Sequence, residues 1–223
     1  MKVDFKSSAL IIIDVQNDFC PGGALAVPEG DLVTAPLNRL SSVFCSREGR
    51  VIATQDWHPE NHVSFAGIPV PSGSPGSLDL HRSEKRGGEN ERDSVLWPAH
   101  CVQGTRGADF RAELDLTPVS MIIRKGFRTY LDSYSAFYEN DRKTSTGLDG
   151  FLKALSIDSV FLGGLATDYC VFYSAMDAVS LSYKTFVLGD AVRGVDLPKG
   201  SVDRAFTLMK EAGVTVIESG DVE

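Results

Sequence analysis

The chain has no apolar run near the ~20 residues that a membrane-spanning helix needs. Its longest runs, Ala9–Ile13 and Val160–Leu165, have the length of buried strands. It is poor in cysteine: four in 223 residues (Cys20, Cys45, Cys101, Cys170), far apart and with no Cys-x-x-Cys. That excludes a small disulfide scaffold and favours reduced thiols. Positive charge is scarce, 22 Lys and Arg against 30 Asp and Glu for a net charge of −8. Such a chain lacks the counterion-releasing surface that nucleic acid requires, and an anionic membrane repels it. No G-x-G-x-x-G follows any strand candidate, so a dinucleotide-binding protein is excluded. The first residues, Met1-Lys-Val-Asp-Phe-Lys, contain an acid and no apolar stretch before Ala9, unlike a secretory leader. The expected location is therefore the cytoplasm.

What is present is ordinary globular composition, 43% apolar and 23% charged. Short β-branched runs at 8–14, 50–55, 119–124, 159–164, 183–188 and 214–218 alternate with helix candidates near 31–48, 150–156, 168–182 and 200–212. Continuous apolar strands alternating with helices predict an α/β fold: a parallel sheet with helices on both faces. The length suits a single domain over 1–223. Residues 67–94, rich first in Gly, Pro and Ser and then in charge, read as a long surface insertion.

Ligands of such sheets sit beyond the carboxyl ends of the strands. Asp14 ends the first run, Lys125 follows the third, and Cys170 lies just past the fourth, where Gly163-Gly-Leu-Ala-Thr-Asp168 turns into a helix. Thr167 and Asp168 are N-cap candidates, which puts Cys170 in a first helical turn, where the dipole stabilises a thiolate. A lysine lowers the thiol pKa further and a carboxylate accepts its proton. A lone Cys at a strand–helix junction is usually only a small buried residue, so spacing alone leaves both readings open.

A second cluster follows the second strand. Asp56 and His58, two apart in Gln55-Asp-Trp-His-Pro59, face the same side of an extended chain and can chelate one cation. His100 can close that site from a loop. Two histidines and one carboxylate leave open coordination positions, as in a working metal centre. A loop ion pair is the plainer alternative. Phe19 and Trp97 flank these groups; they are either walls for a flat substrate or packing.

Four segments then carry a resemblance: Asp14-Val-Gln-Asn-Asp-Phe-Cys-Pro-Gly-Gly-Ala-Leu-Ala-Val27, Gln55-Asp-Trp-His-Pro-Glu-Asn-His-Val-Ser-Phe65, Trp97-Pro-Ala-His-Cys-Val-Gln-Gly-Thr105 and Gly163-Gly-Leu-Ala-Thr-Asp-Tyr-Cys-Val171. In this order they resemble the nicotinamidases, metal-dependent cysteine hydrolases of the isochorismatase-like superfamily. The likeness runs from about residue 8 to 219.

The resemblance implies a six-stranded parallel sheet in a three-layer sandwich. It implies Asp14, Lys125 and Cys170 as the catalytic triad and the amides of Ala166 and Cys170 as the oxyanion hole. Asp56, His58 and His100 would hold one divalent metal, zinc first, with iron or manganese sharing the donor set. His62 or Ser64 would add a ligand through water. Phe19 and Trp97 would flank the pyridine ring, and Leu165–Ala166 would be a cis peptide. The implied reaction converts nicotinamide to nicotinate and ammonia through a cysteine thioester, feeding NAD salvage. Homo-oligomer assembly stays open, since the family includes monomers, dimers and larger rings. Two rivals share the scaffold: a metal-independent amidase acting on carbamoyl or ureido substrates, and a catalytically silent sensor of nicotinamide or NAD. Neither needs the full set of triad and metal-ligand residues present here.

Overall fold

The computed structural model describes residues 1–68 and 96–222. The expected insertion, beyond Gly67 and Ile68, lies outside them. Six strands form one sheet: β1 (Ser8–Ile13), β2 (Arg50–Asp56), β3 (Met121–Lys125), β4 (Ser159–Leu165), β5 (Lys184–Arg193) and β6 (Thr215–Ile217). The order is β3-β2-β1-β4-β5-β6 and every pairing is parallel. Among the described residues the α-helices are α1 (Thr34–Ser46), α2 (Leu148–Ala154), α3 (Phe172–Ser180) and α4 (Ser201–Glu211).

The alternation along β1 shows why the sheet is covered on both sides. Ala9, Ile11 and Ile13 enter one core with Leu148 and Leu152 of α2, Ala175 and Ala178 of α3, and Ala205 and Met209 of α4. Leu10 and Ile12 enter the other, with Leu37, Leu40 and Phe44 of α1. Period-two side chains with both faces apolar can only sit between two helical layers. The result is the three-layer sandwich. The strand order reverses between β1 and β4, and a crevice opens there beyond the strand ends.

Three elements depart from the sequence reading. Lys125 is the last residue of β3 rather than the residue after it. β5 runs five residues past Leu188, because Gly189 and Asp190 are absorbed in a bulge: Leu162 pairs Val187, whereas Gly164 already pairs Val192. Asp190 is held there by the backbone N–H and hydroxyl of Ser219, at 2.7 and 2.5 Å. The predicted helix 168–182 begins instead as a π-type turn, Thr167–Val171, in which Val171 N donates to Ala166 O at 3.1 Å, five residues back. Neither Thr167 nor Asp168 caps it; the N-cap is Ala166, without a side-chain bond.

At the sheet centre, Gly164 has φ +124°, and a Cβ built on it would lie 2.0 Å from the Ile13 carbonyl oxygen. The carboxyl ends of β1 and β4 approach only because that atom is missing. Gly164→Ala is therefore expected to lower the unfolding free energy by at least about 2 kcal/mol, measured by urea denaturation.

Candidate active site and metal centre

Asp14 leaves β1 at φ +49° and turns its carboxylate inward. Oδ1 accepts the Thr54 hydroxyl at 2.6 Å, and the same hydroxyl oxygen receives Asp14 N at 3.2 Å. The side-chain amide of Gln16 takes both backbone groups of Asp56 at 2.8 Å each. It acts as a short extra rung of ladder and sets the end of β2 beside that of β1. Lys125 projects from the end of β3 with its side chain wholly buried.

The Lys125 ammonium joins these groups. Nζ lies 2.8 Å from Asp14 Oδ2, 2.5 Å from Asp56 Oδ1, 2.9 Å from the Ser133 carbonyl and 3.5 Å from Cys170 Sγ. Sγ in turn lies within 4.8 Å of carboxylate oxygens of Asp14 and Asp56. The three residues read as nucleophile, carboxylate and cation thus converge at one point from β1, β3 and the turn after β4.

Burial sets the charge states. It favours the neutral form of Asp14; Lys125 opposes this and Asp56 adds to it, and the carboxyl is pushed up to about 6. Burial also works on Asp56, but Lys125 and His58 outweigh it and hold that group below the usual carboxylate range. For Lys125 the neighbouring carboxylates overcome burial and keep the ammonium charged. Cys170 differs from the sequence expectation. Burial first, then Asp14 and Asp56, raise its thiol well above the ordinary value, and Lys125 only partly offsets them. Desolvation in a closed site thus works against the thiolate more than one turn of helix helps it.

Asp56, His58 and His100 offer ligand atoms that all lie within 4.8 Å of one another. Nδ1 of His58 pairs with the Gly126 carbonyl and Nδ1 of His100 with the Pro98 carbonyl, both at 2.8 Å. Each carbonyl needs an N–H, so Nε2 of each ring remains as the ligand atom, that of His58 lying 3.5 Å from Asp56 Oδ2, and this outer support is what a ligating imidazole requires. Burial, then repulsion from His58, lowers His100 to about 4, which keeps it in the neutral, metal-binding form. The donor set therefore fits a divalent metal. His62 stands apart from this trio. Its ring stacks on that of His58 at 4.1 Å, its Nδ1 meets Ser64 Oγ at 2.7 Å, and it groups with His58 and Asp132.

Asp56, His58, His100 and Cys170 open on one cleft, whose walls also include Phe19, Trp97 and Ala166. Leu165–Ala166 is cis. The Ala166 carbonyl accepts from Tyr169 N and Val171 N at 3.1 Å each, passing over the amide of Cys170 between them. Several wall residues had no role in the sequence reading. Tyr134 accepts the Trp97 indole N–H at 3.2 Å, and Tyr169 packs edge-on to Trp97 at 4.9 Å. Leu25, Val27, Asp132 and Val195 complete the cleft. Leu25, Val27 and Tyr169 lie inside the quoted segments; Asp132, Tyr134 and Val195 lie in loops without periodicity.

Fold and site together define the class: an α/β enzyme with a buried thiol, carboxylate and ammonium beside a histidine–carboxylate cluster. The family model described as Isochorismatase domain matches residues 8–221, and the chain belongs to that family. It is 43% identical to the nicotinamidase of Escherichia coli (strain K12) over 216 residues, 96% of each chain. PnC1 from L. infantum, solved in complex with nicotinate, is 35% identical with a TM-score of 0.83, covering 100% of this chain and 98% of that one. The pyrazinamidase of Pyrococcus horikoshii in complex with zinc is 33% identical with a TM-score of 0.75, covering 95% and 99%.

Lys125→Met leaves two buried carboxylates without their cation. We expect a loss of about 3–5 kcal/mol of stability near neutral pH. Asp14 and Asp56 of the folded variant then titrate above their ordinary value of 3.8. Its native state binds more protons than the unfolded chain, so its unfolding free energy falls as pH rises from about 4 to 7. Denaturant titrations across that range read the slope.

Proposed function

We propose that this chain hydrolyses nicotinamide to nicotinate and ammonia through a thioester on Cys170. The observation that carries the reading is the position of Sγ: 3.5 Å from the Lys125 ammonium, beside Asp14, in a cleft shared with Asp56, His58 and His100. Full-length similarity to nicotinamidases supports it.

Asp14, ionised above about pH 6, takes the thiol proton as Sγ forms a bond to the carboxamide carbon. Lys125 stabilises the charge passing between sulfur and carboxylate. The amides of Ala166 and Cys170 hold the oxyanion; one such donor is typically worth about 10²–10³ in rate. Asp14 returns the proton to nitrogen, the C–N bond breaks and ammonia leaves. Asp14 next takes a proton from water as its oxygen attacks the thioester carbon, and the C–S bond breaks with the proton returned to sulfur. Phe19 and Trp97 grip the ring on its way through these steps.

Asp56, His58 and His100 would hold a divalent cation, which when bound supplies a Lewis-acidic anchor for the ring nitrogen and so orients the carboxamide. We propose zinc, since two imidazoles and a carboxylate with open positions suit it. Nicotinate release would feed NAD salvage. The described cysteines are free thiols, which suits the cytoplasm. We take residues 1–223 as one hydrolase domain. The metal-independent carbamoyl or ureido amidase ranks second, because it leaves the imidazole pair without a use.

Cys170→Ala is expected to reduce ammonia release by roughly 10⁴-fold or more while nicotinate still binds by calorimetry; appreciable turnover would reject the covalent route. His58→Ala and His100→Ala should each lose most of the bound zinc by elemental analysis, and normal content would show that the ligand assignment is wrong.

A further inference from the structure

We propose that Asp168 is a positioning residue that fastens the loop after β5 to the nucleophile turn, and that Val195, fixed in this way, sets which ring-substituted pyridine carboxamides enter the cleft. The inference rests on the amidohydrolase reading above.

Asp168 sits two residues before Cys170 and is 8% exposed. Its carboxylate reaches away from the turn. Oδ1 accepts Val195 N at 3.0 Å; Oδ2 accepts Asp196 N at 3.0 Å and the Ser201 hydroxyl at 2.5 Å. The neighbouring Tyr169 hydroxyl donates to the Leu197 carbonyl at 2.7 Å. Two consecutive residues of the nucleophile turn thus grip three consecutive residues of a loop that has no ladder of its own. The approach is close: a Cβ on Gly194 would lie 2.2 Å from Val202 Cγ2 and 3.1 Å from Asp168 Oδ1. Asp196 closes the loop on itself by accepting Gly200 N at 2.7 Å.

The grip has a direction. Val195 lines the cleft with Tyr169 and Cys170, whereas Asp168 does not. Asp168 therefore touches no substrate, and its influence passes through the apolar wall it holds. A carboxylate can serve three donors through charge-assisted bonds. An asparagine there has one acceptor oxygen and sets an NH₂ against a backbone N–H, so part of the loop is released and the wall retreats.

The test measures kcat and KM for nicotinamide and for nicotinamides carrying one ring methyl group, together with thermal melting. Asp168→Asn and Val195→Ala should each raise the methylated-to-parent ratio of kcat/KM, at the same ring position, by about tenfold, the low end of what one methyl group is worth in an apolar pocket. For Asp168→Asn the change should appear in KM and not in kcat. The double variant should gain no more than one single variant, since both act on one wall. Unchanged ratios, additive effects, or a response to Val195→Ala without one to a folded Asp168→Asn would overturn the proposal. Should Asp168→Asn fail to fold, an unchanged ratio in Val195→Ala suffices to reject it. Wild-type protein that cleaves no nicotinamide would instead bring down the functional reading, and this inference with it.

Discussion

A single buried ammonium holds this molecule's chemistry together. Lys125 lies inside a low-dielectric centre with two carboxylates, a carbonyl and a thiol around its nitrogen. Two acids at that depth repel each other and resist desolvation; the cation between them makes their proximity tolerable. Their unequal surroundings separate them. Asp56, pressed by Lys125 and His58, stays ionised and is suited to a metal, whereas Asp14 is lifted toward neutrality and can exchange a proton. Two identical side chains acquire different chemistry from their surroundings alone.

The fold supplies this centre by convergence. Each contributing group stands at the carboxyl end of a different strand or on the turn that follows it, and the strands are parallel, so all their ends lie at one edge of the sheet. Small devices complete the register there. Gln16 lends β1 an additional rung toward Asp56, Thr54 holds Asp14, and Ser133 brings the loop after β3 back onto Lys125. The apolar cores on both faces fix the strands, and the polar edge inherits their rigidity.

Much of this was legible in the residues. β1 and β4 stood out because strands covered on both faces must be continuously apolar, and the reactive residues stood out because they punctuate the ends of such runs. The bulge in β5 was hidden, since Gly189-Asp190 reads locally as a turn until Ser219 is seen to hold it. The reach of Asp168 was hidden for a like reason: an acid beside a helix start suggests a cap, and the donors its carboxylate actually accepts from, the amides of Val195 and Asp196, lie far along the chain. Tyr134 and Asp132 sit in a loop whose sequence has no period to betray which side faces the cleft. For the sulfur, sequence shows neighbours and dipoles but not the depth of burial, which pushes the thiol up.

That depth has a consequence for survival in a cell. Peroxides, alkylators and disulfides attack sulfur as its anion, and burial, with Asp14 and Asp56 close by, pushes the Cys170 thiol up and away from that form. In the proposed reaction, the proton would leave this sulfur for Asp14 only with a guest seated against it. The burial that sets the charge states of the site also leaves Cys170 only 6% exposed to such reagents.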